Sequence, residues 1–171
     1  MNQGDLAGRM MGAATLSIDT FEEVEADTTA TGQAAVVVIL VAVASGIGSL
    51  GEGLMAAILA PVFALLGWLI WAGVTYLIGD KLLGGTATWG ELLRTLGFAQ
   101  SPGVLYLLAV IPLLGFFVRI LLPFWMLVAG VIAIRQALDF GTGKAILTAV
   151  LGWLALLIPS IVMGSMAVLA S

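Results

Sequence analysis

Two carboxylates hold the most chemically suggestive positions in this sequence. Asp80 closes Leu77-Ile78-Gly79-Asp80 and Asp139 closes Ala137-Leu138-Asp139, each at the end of a long apolar run. Carboxylate catalysis within a membrane needs two such groups brought so close that one keeps its proton. Both runs end on the same expected side, so pairing is geometrically open. Neither matches a paired aspartyl motif, however, and their neighbours are Lys81 on one side and the Gly141 turn on the other. A loop-and-interface role is the competing reading, and an intramembrane aspartyl enzyme is a remote alternative.

Other catalytic chemistry is closed off by residue type. The chain has no His and no Cys. Imidazole bases, thiolate nucleophiles, disulfides and His- or Cys-bound metals therefore fall away together. Gly141-Thr142-Gly143-Lys144 lacks P-loop spacing and follows an apolar run instead of a strand. No catalytic, cofactor-binding or metal-binding residue is nominated, no cofactor is expected, and the chain reads as a non-enzyme.

The elements that carry these residues follow from composition. Of 171 residues, 61% are hydrophobic and 9% charged, with a mean hydropathy of +1.18. Soluble domains run at ~45–50% apolar and ~25% charged, so this chain cannot clothe a water-facing surface. Disorder is excluded by the same balance. The expected class is an all-α polytopic membrane protein, a five-helix transmembrane bundle with a short interfacial amphipathic helix.

The net charge of −4 divides unevenly. Residues 1–33 hold Asp5, Asp19, Glu22, Glu23, Glu25 and Asp27 against Arg9, a balance of −5, and the remainder is +1. This N-terminal arm is not drawn to nucleic acid or anionic headgroups by its charge, and it lacks the basic start of a signal peptide. Five apolar stretches reach or approach the ~17–25 residues of a membrane helix. They cover residues 34–50, 54–79, 103–118, 120–138 and 145–170, the last containing Pro159. Pro112 and Gly115 interrupt the third, where a kink is expected. Five spans place Arg9, Lys81, Arg94, Arg135 and Lys144 on one side and Arg119 on the other. The positive-inside rule then puts the N-terminus in the cytoplasm and the C-terminus outside. A re-entrant hairpin over residues 103–138 is the alternative, and it would bring Arg119 to membrane depth.

The connections carry their own signals. Thr88-Trp89-Gly90-Glu91 fits a capping box, followed by an apolar stripe of Trp89, Leu92, Leu93 and Leu96 at helical period, with Gly97 as a stop. This predicts an interfacial helix over about 88–97 with Trp89 at headgroup level and Arg94 toward water. Ser101 is an expected N-cap and Pro102 the first residue of the third span. In the arm, Asp19-Thr20-Phe21-Glu22 is a second capping signal for a helix running toward the first span. Leu6, Met10, Ala13, Ala14 and Ser17 form a weak amphipathic pattern upstream.

Ionisable residues avoid the span centres, which argues against ion-coupled transport. Arg135 lies a turn from its span end and can snorkel. Ser45, Ser49, Thr75, Tyr76, Thr148 and Ser160 either line a passive path or bond between helices. Pro102, Pro112, Gly115 and Arg119 are the candidate kink or path residues. Ala42 with Gly46, Ala44 with Gly48, and Ala129 with Ala133 are small pairs for close helix packing, within one chain or between copies. Phe21, Glu22, Glu23, Trp89 and Arg94 are the candidate partner contacts.

With the segments placed, the chain resembles the Yip domain family in its compact prokaryotic form, over about residues 15–170. The resemblance rests on the acidic segment after Ile18-Asp19-Thr20-Phe21, and on Trp89-Gly90-Glu91-Leu92 leading to Gly97-Phe98-Ala99-Gln100-Ser101-Pro102. Ile111-Pro112-Leu113-Leu114-Gly115, Phe124-Trp125 and Arg135-Gln136-Ala137-Leu138 add to it. It implies a five-span, N-in and C-out protein of the prokaryotic cell membrane without known enzymatic activity. Eukaryotic relatives act in vesicle traffic and contact small GTPases; this chain lacks their long Pro/Gly-rich tail. The expected function is membrane organisation or partner scaffolding, with a passive lipid or small-molecule transporter as the alternative. Expected partners are membrane lipids, with a membrane or cytoplasmic protein and self-association left open.

Overall fold

A computed structural model describes residues 4–152 and 154–155, and no strand occurs among the described residues. Helix α1 (Leu6–Ala14) starts at Asp5, whose carboxylate accepts from the Ala7 N–H. Leu16, at φ 64°, reverses the chain. Helix α2 (Ile18–Ala26) is capped by the Ser17 hydroxyl, which accepts from the Thr20 N–H, so the cap falls two residues before the expected Asp19. Asp27 then accepts from both the N–H and the hydroxyl of Thr29. That local turn competes with helix and ends α2. The helix therefore does not run on toward the first span; α3 (Ala30–Gly48) starts afresh, four residues earlier than the apolar run.

The chain turns through Leu50–Glu52 and Gly53, whose φ of 111° suits glycine. Helix α4 (Leu54–Thr75) continues as a π-helical stretch, Tyr76–Leu82. Helix α5 (Trp89–Ala99) carries the expected capping box: Thr88 Oγ1 accepts from the Glu91 N–H and Glu91 Oε2 accepts from the Thr88 N–H. A 3-10 segment (Ser101–Val110), α6 (Pro112–Ala137) and α7 (Thr142–Gly152) follow. Among the described residues, three stretches are long and apolar enough to cross a membrane: Ala30–Gly48, Pro61–Leu82 and Pro112–Ala137. The remainder of the 145–170 stretch, with Pro159 and Ser160, lies outside the described residues.

The expected boundary between stretches 103–118 and 120–138 is corrected. The break falls at Ile111, which is extended, and residues 112–137 form one helix. Pro112 does not kink a span; it starts α6, where its missing N–H is not needed and its fixed φ suits the helix. Ser101 likewise is no N-cap, since its hydroxyl donates to the Phe98 carbonyl. Pro61 and Pro123 are the prolines inside described helices.

Close glycine contacts show how α5 and the 3-10 segment run. Gly97 meets Ala34, Gly103 meets Val41, and Gly48 meets Tyr106 and Ala109. Both numberings rise together, so residues 89–110 track α3 side by side in the same direction. Eleven α-helical and ten 3-10 residues extend about 36 Å at ~1.5 and ~2.0 Å per residue. The centre of the bundle is filled by Phe21, Val24, Val37, Leu92, Leu96, Phe98 and Ile134, all fully buried. Its outside is studded with exposed Ile39, Leu54, Phe116, Leu121 and Phe124. A surface this apolar is made for contact with lipid.

Candidate functional site

The acidic arm is folded onto the bundle by the single base it contains. Arg9 is 4% exposed, and its guanidinium donates to Glu23 at 2.9 Å, Asp27 at 2.7 Å and Gln33 at 2.9 Å. One planar fork thus ties α1 to the C-terminal half of α2 and to α3. Burial pulls the Arg9 pKa down, but the hydrogen bonds and charges of Asp27 and Glu23 outweigh it and the net shift is upward. Asp27 is held down to about 2, first by the Thr29 hydroxyl and then by Arg9.

Further contacts fix the arm from the other side. Arg94, 5% exposed, donates to the carbonyls of Val24 and Glu25 and to the Thr31 hydroxyl. This corrects the expectation that Arg94 faces water: its cation closes the C-terminal end of α2, where helix carbonyls lack partners. The Gln136 amide donates to Glu22 at 2.7 Å, and the Trp125 indole N–H donates to the Ala14 carbonyl at 2.9 Å. Phe21 is fully buried and Glu23 is half-buried and engaged by Arg9, so among the candidate contacts Glu22 and Trp89 are the exposed ones. Trp89 stands edge-on to Tyr76 at 6.2 Å. Glu25 is pushed up to about 7, by burial first and then by Glu91, Asp139 and Glu22, with Arg94 opposing.

The two suggestive carboxylates have separate partners. Asp80 pairs with Lys81 at 2.6 Å, and Asp139 accepts from the Thr86 hydroxyl at 3.1 Å. Asp139 itself takes φ 52° in the turn before α7, a conformation that Asp tolerates.

The path residues divide. Pro102 lines an apolar groove of about 660 Å³ between α1, the 3-10 segment and α6, together with Met10, Leu105, Phe117 and Trp125. Gly115 lets α6 approach the Ala109 backbone. Arg119 donates to the Gly48 carbonyl at 2.8 Å and so meets the last turn of α3. Thr148 donates to the Lys144 carbonyl within its own helix. The small pairs serve packing inside the chain: Ala42, Ala44, Gly46 and Gly48 are buried, as are Ala129 and Ala133. Sequence reasoning missed the Arg9 fork and the Trp125 anchor. The lone base among six acids was the available signal for the first; nothing local marks the second.

An all-helical bundle with an apolar outside and three helices of membrane-crossing length is a polytopic membrane protein. Residues 14–163 match the family model described as the Yip1 domain, and the chain belongs to that family. Neither a curated protein nor a solved structure matches it.

Proposed function

We propose that this is a non-enzymatic membrane protein that organises partners in the bilayer by holding a rigid acidic platform, α1 and α2, on the cytoplasmic face of a five-crossing bundle. The observation that carries this reading is the Arg9 fork, which turns an acidic arm into a fixed surface. In this reading α3 and α4 are the first two crossings, α5 with the 3-10 segment is the third, α6 is the fourth, and the chain from Thr142 onward is the fifth. That assignment keeps the N-terminus inside and the C-terminus outside. Asp19 and Glu22 lie at the exposed surface of the platform and suit a basic segment of a membrane or cytoplasmic partner. Purified protein in phosphatidylcholine vesicles tests the reading: headgroup-labelled lipid should cross leaflets no faster than in empty vesicles. Fast, saturable movement of that lipid would overturn it.

The groove beneath α1 favours a second reading, a passive lipid path. Its walls are almost wholly apolar and lie along two crossings, as an acyl chain requires. The same vesicle assay separates the two, since only this reading expects movement, and expects it to fall when Leu105→Trp fills the groove.

A further inference from the structure

We infer that a second cavity, set between helices and open to the bundle surface, binds an uncharged lipid through a hydroxyl or carbonyl group. This cavity, of about 430 Å³, lies between α3, α4, the α5 end, the 3-10 segment and α6. Its volume falls in the ~300–1,000 Å³ range of small-molecule sites. Three polar side chains converge on it, Ser45, Gln100 and Tyr106. Gln100 is 6% exposed, and the indole N–H groups of Trp68 and Trp71, which also line the cavity, are buried with no hydrogen-bond partner among the described residues. Burial without a partner is unusual for such groups in any protein and more so at membrane depth. The Trp68 and Trp71 indoles each hold a desolvated N–H donor at this cavity that needs an acceptor.

The chemistry of the walls selects the ligand. An amide, a phenol and an aliphatic hydroxyl each donate and accept, so they match a hydroxyl or a carbonyl equally well. Among the described residues no Asp, Glu, Lys or Arg lines the cavity, so an ion or a charged headgroup would lie there without a counter-charge, at high cost. Val41, Phe63 and Met126 form the apolar remainder, suited to a hydrocarbon chain. Gly67 keeps the space clear: a Cβ there would meet nothing within 4 Å. A lipid alcohol or a glycerolipid without a charged headgroup satisfies all these walls. This site stands independently of the platform reading.

The test uses the full chain in phosphatidylcholine nanodiscs with a diacylglycerol carrying a diazirine on one acyl chain. After irradiation, cross-links are expected on residues 63–68 and 100–106. Excess unlabelled diacylglycerol should reduce them at least tenfold, while phosphatidylglycerol should not. A long-chain isoprenoid alcohol distinguishes the sources: if it also competes, the hydroxyl is recognised, and if it does not, the ester carbonyls are. Gly67→Leu grows into open space and replaces a helix glycine, so it should remove the cross-links tenfold or more with the Tm held or raised. Gln100→Leu should weaken them with the fold intact. Cross-links that persist in Gly67→Leu, that phosphatidylglycerol displaces equally, or that fall only on the outer surface would overturn the site.

Discussion

Replacing Arg9 with Met keeps most of the aliphatic bulk and removes the guanidinium that joins α1, α2 and α3. The contact is a buried fork: the Arg9 side chain is 5% exposed, and its Glu23 and Asp27 partners are 30% and 29% exposed. Removing one member of a fully buried ion pair costs ~3–5 kcal/mol. The two carboxylates here keep partial access to water, which takes up part of that loss, so about 2–3 kcal/mol is expected for docking of the arm. This raises the undocked population roughly 30- to 150-fold. Hydrogen exchange of the protein in nanodiscs reads it directly: amides of α1 and α2 should exchange faster by that factor, while those of α6 stay unchanged. Arg9→Lys should recover only part of the protection, because an ammonium is a point charge and cannot reproduce the fork. Exchange in Arg9→Met that stays within threefold of the unmodified chain would refute the reasoning.

Three further outcomes follow from the same packing. Arg94→Met strips the partners from the Val24 and Glu25 carbonyls and should lower unfolding stability in detergent by about 2–3 kcal/mol. Gly97→Leu pushes a Cβ to 2.9 Å from Ala34 Cβ and should cost ~1–3 kcal/mol by over-packing; Gly32→Ala, with nothing within 4 Å, should instead gain ~0.5–1 kcal/mol, both read by thermal melts. The pH dependence has a definite sign. Glu25 is raised to about 7 in the folded chain, so its contribution is fully present below about 4.5 and is lost as pH rises through 7. Tm should therefore fall from pH 5 to pH 8, and Glu25→Gln should flatten that slope. Asp27, lowered to about 2, contributes above about 3.8 and loses that contribution only as pH falls toward 2, outside this window.

Local chemistry in the sequence predicted local structure well. Thr88 and Glu91 sit three residues apart with an apolar stripe behind them, and both hydrogen bonds of the capping box form. The first two apolar runs became α3 and α4 with shifts of a few residues. Failures came where a residue's role depends on what lies across from it. Gly97 reads as a helix stop from sequence, yet α5 runs on to Ala99 and the glycine serves close approach to Ala34. Arg94 reads as a water-facing residue of an amphipathic helix, yet the carbonyl end of α2, seventy positions back, binds it. The side-by-side run of residues 89–110 along α3 was hidden because its first half is too polar for a hydropathy window. Glu91, Arg94, Thr95 and Gln100 are accommodated by α2, by capping or by the interior. Pro112 reads as a kink from sequence, and only the break at Ile111 shows that it starts α6.

The central claim is that the acidic arm is a fixed platform, and a distance between spin labels tests it most directly. The chain has no Cys, so Asp19→Cys and Gly143→Cys, both at exposed positions, can be labelled cleanly in nanodiscs. A single narrow distance distribution between α2 and the start of α7 is predicted, broadening when Arg9→Met is added. A broad or multiple distribution in the otherwise unmodified chain would contradict the account.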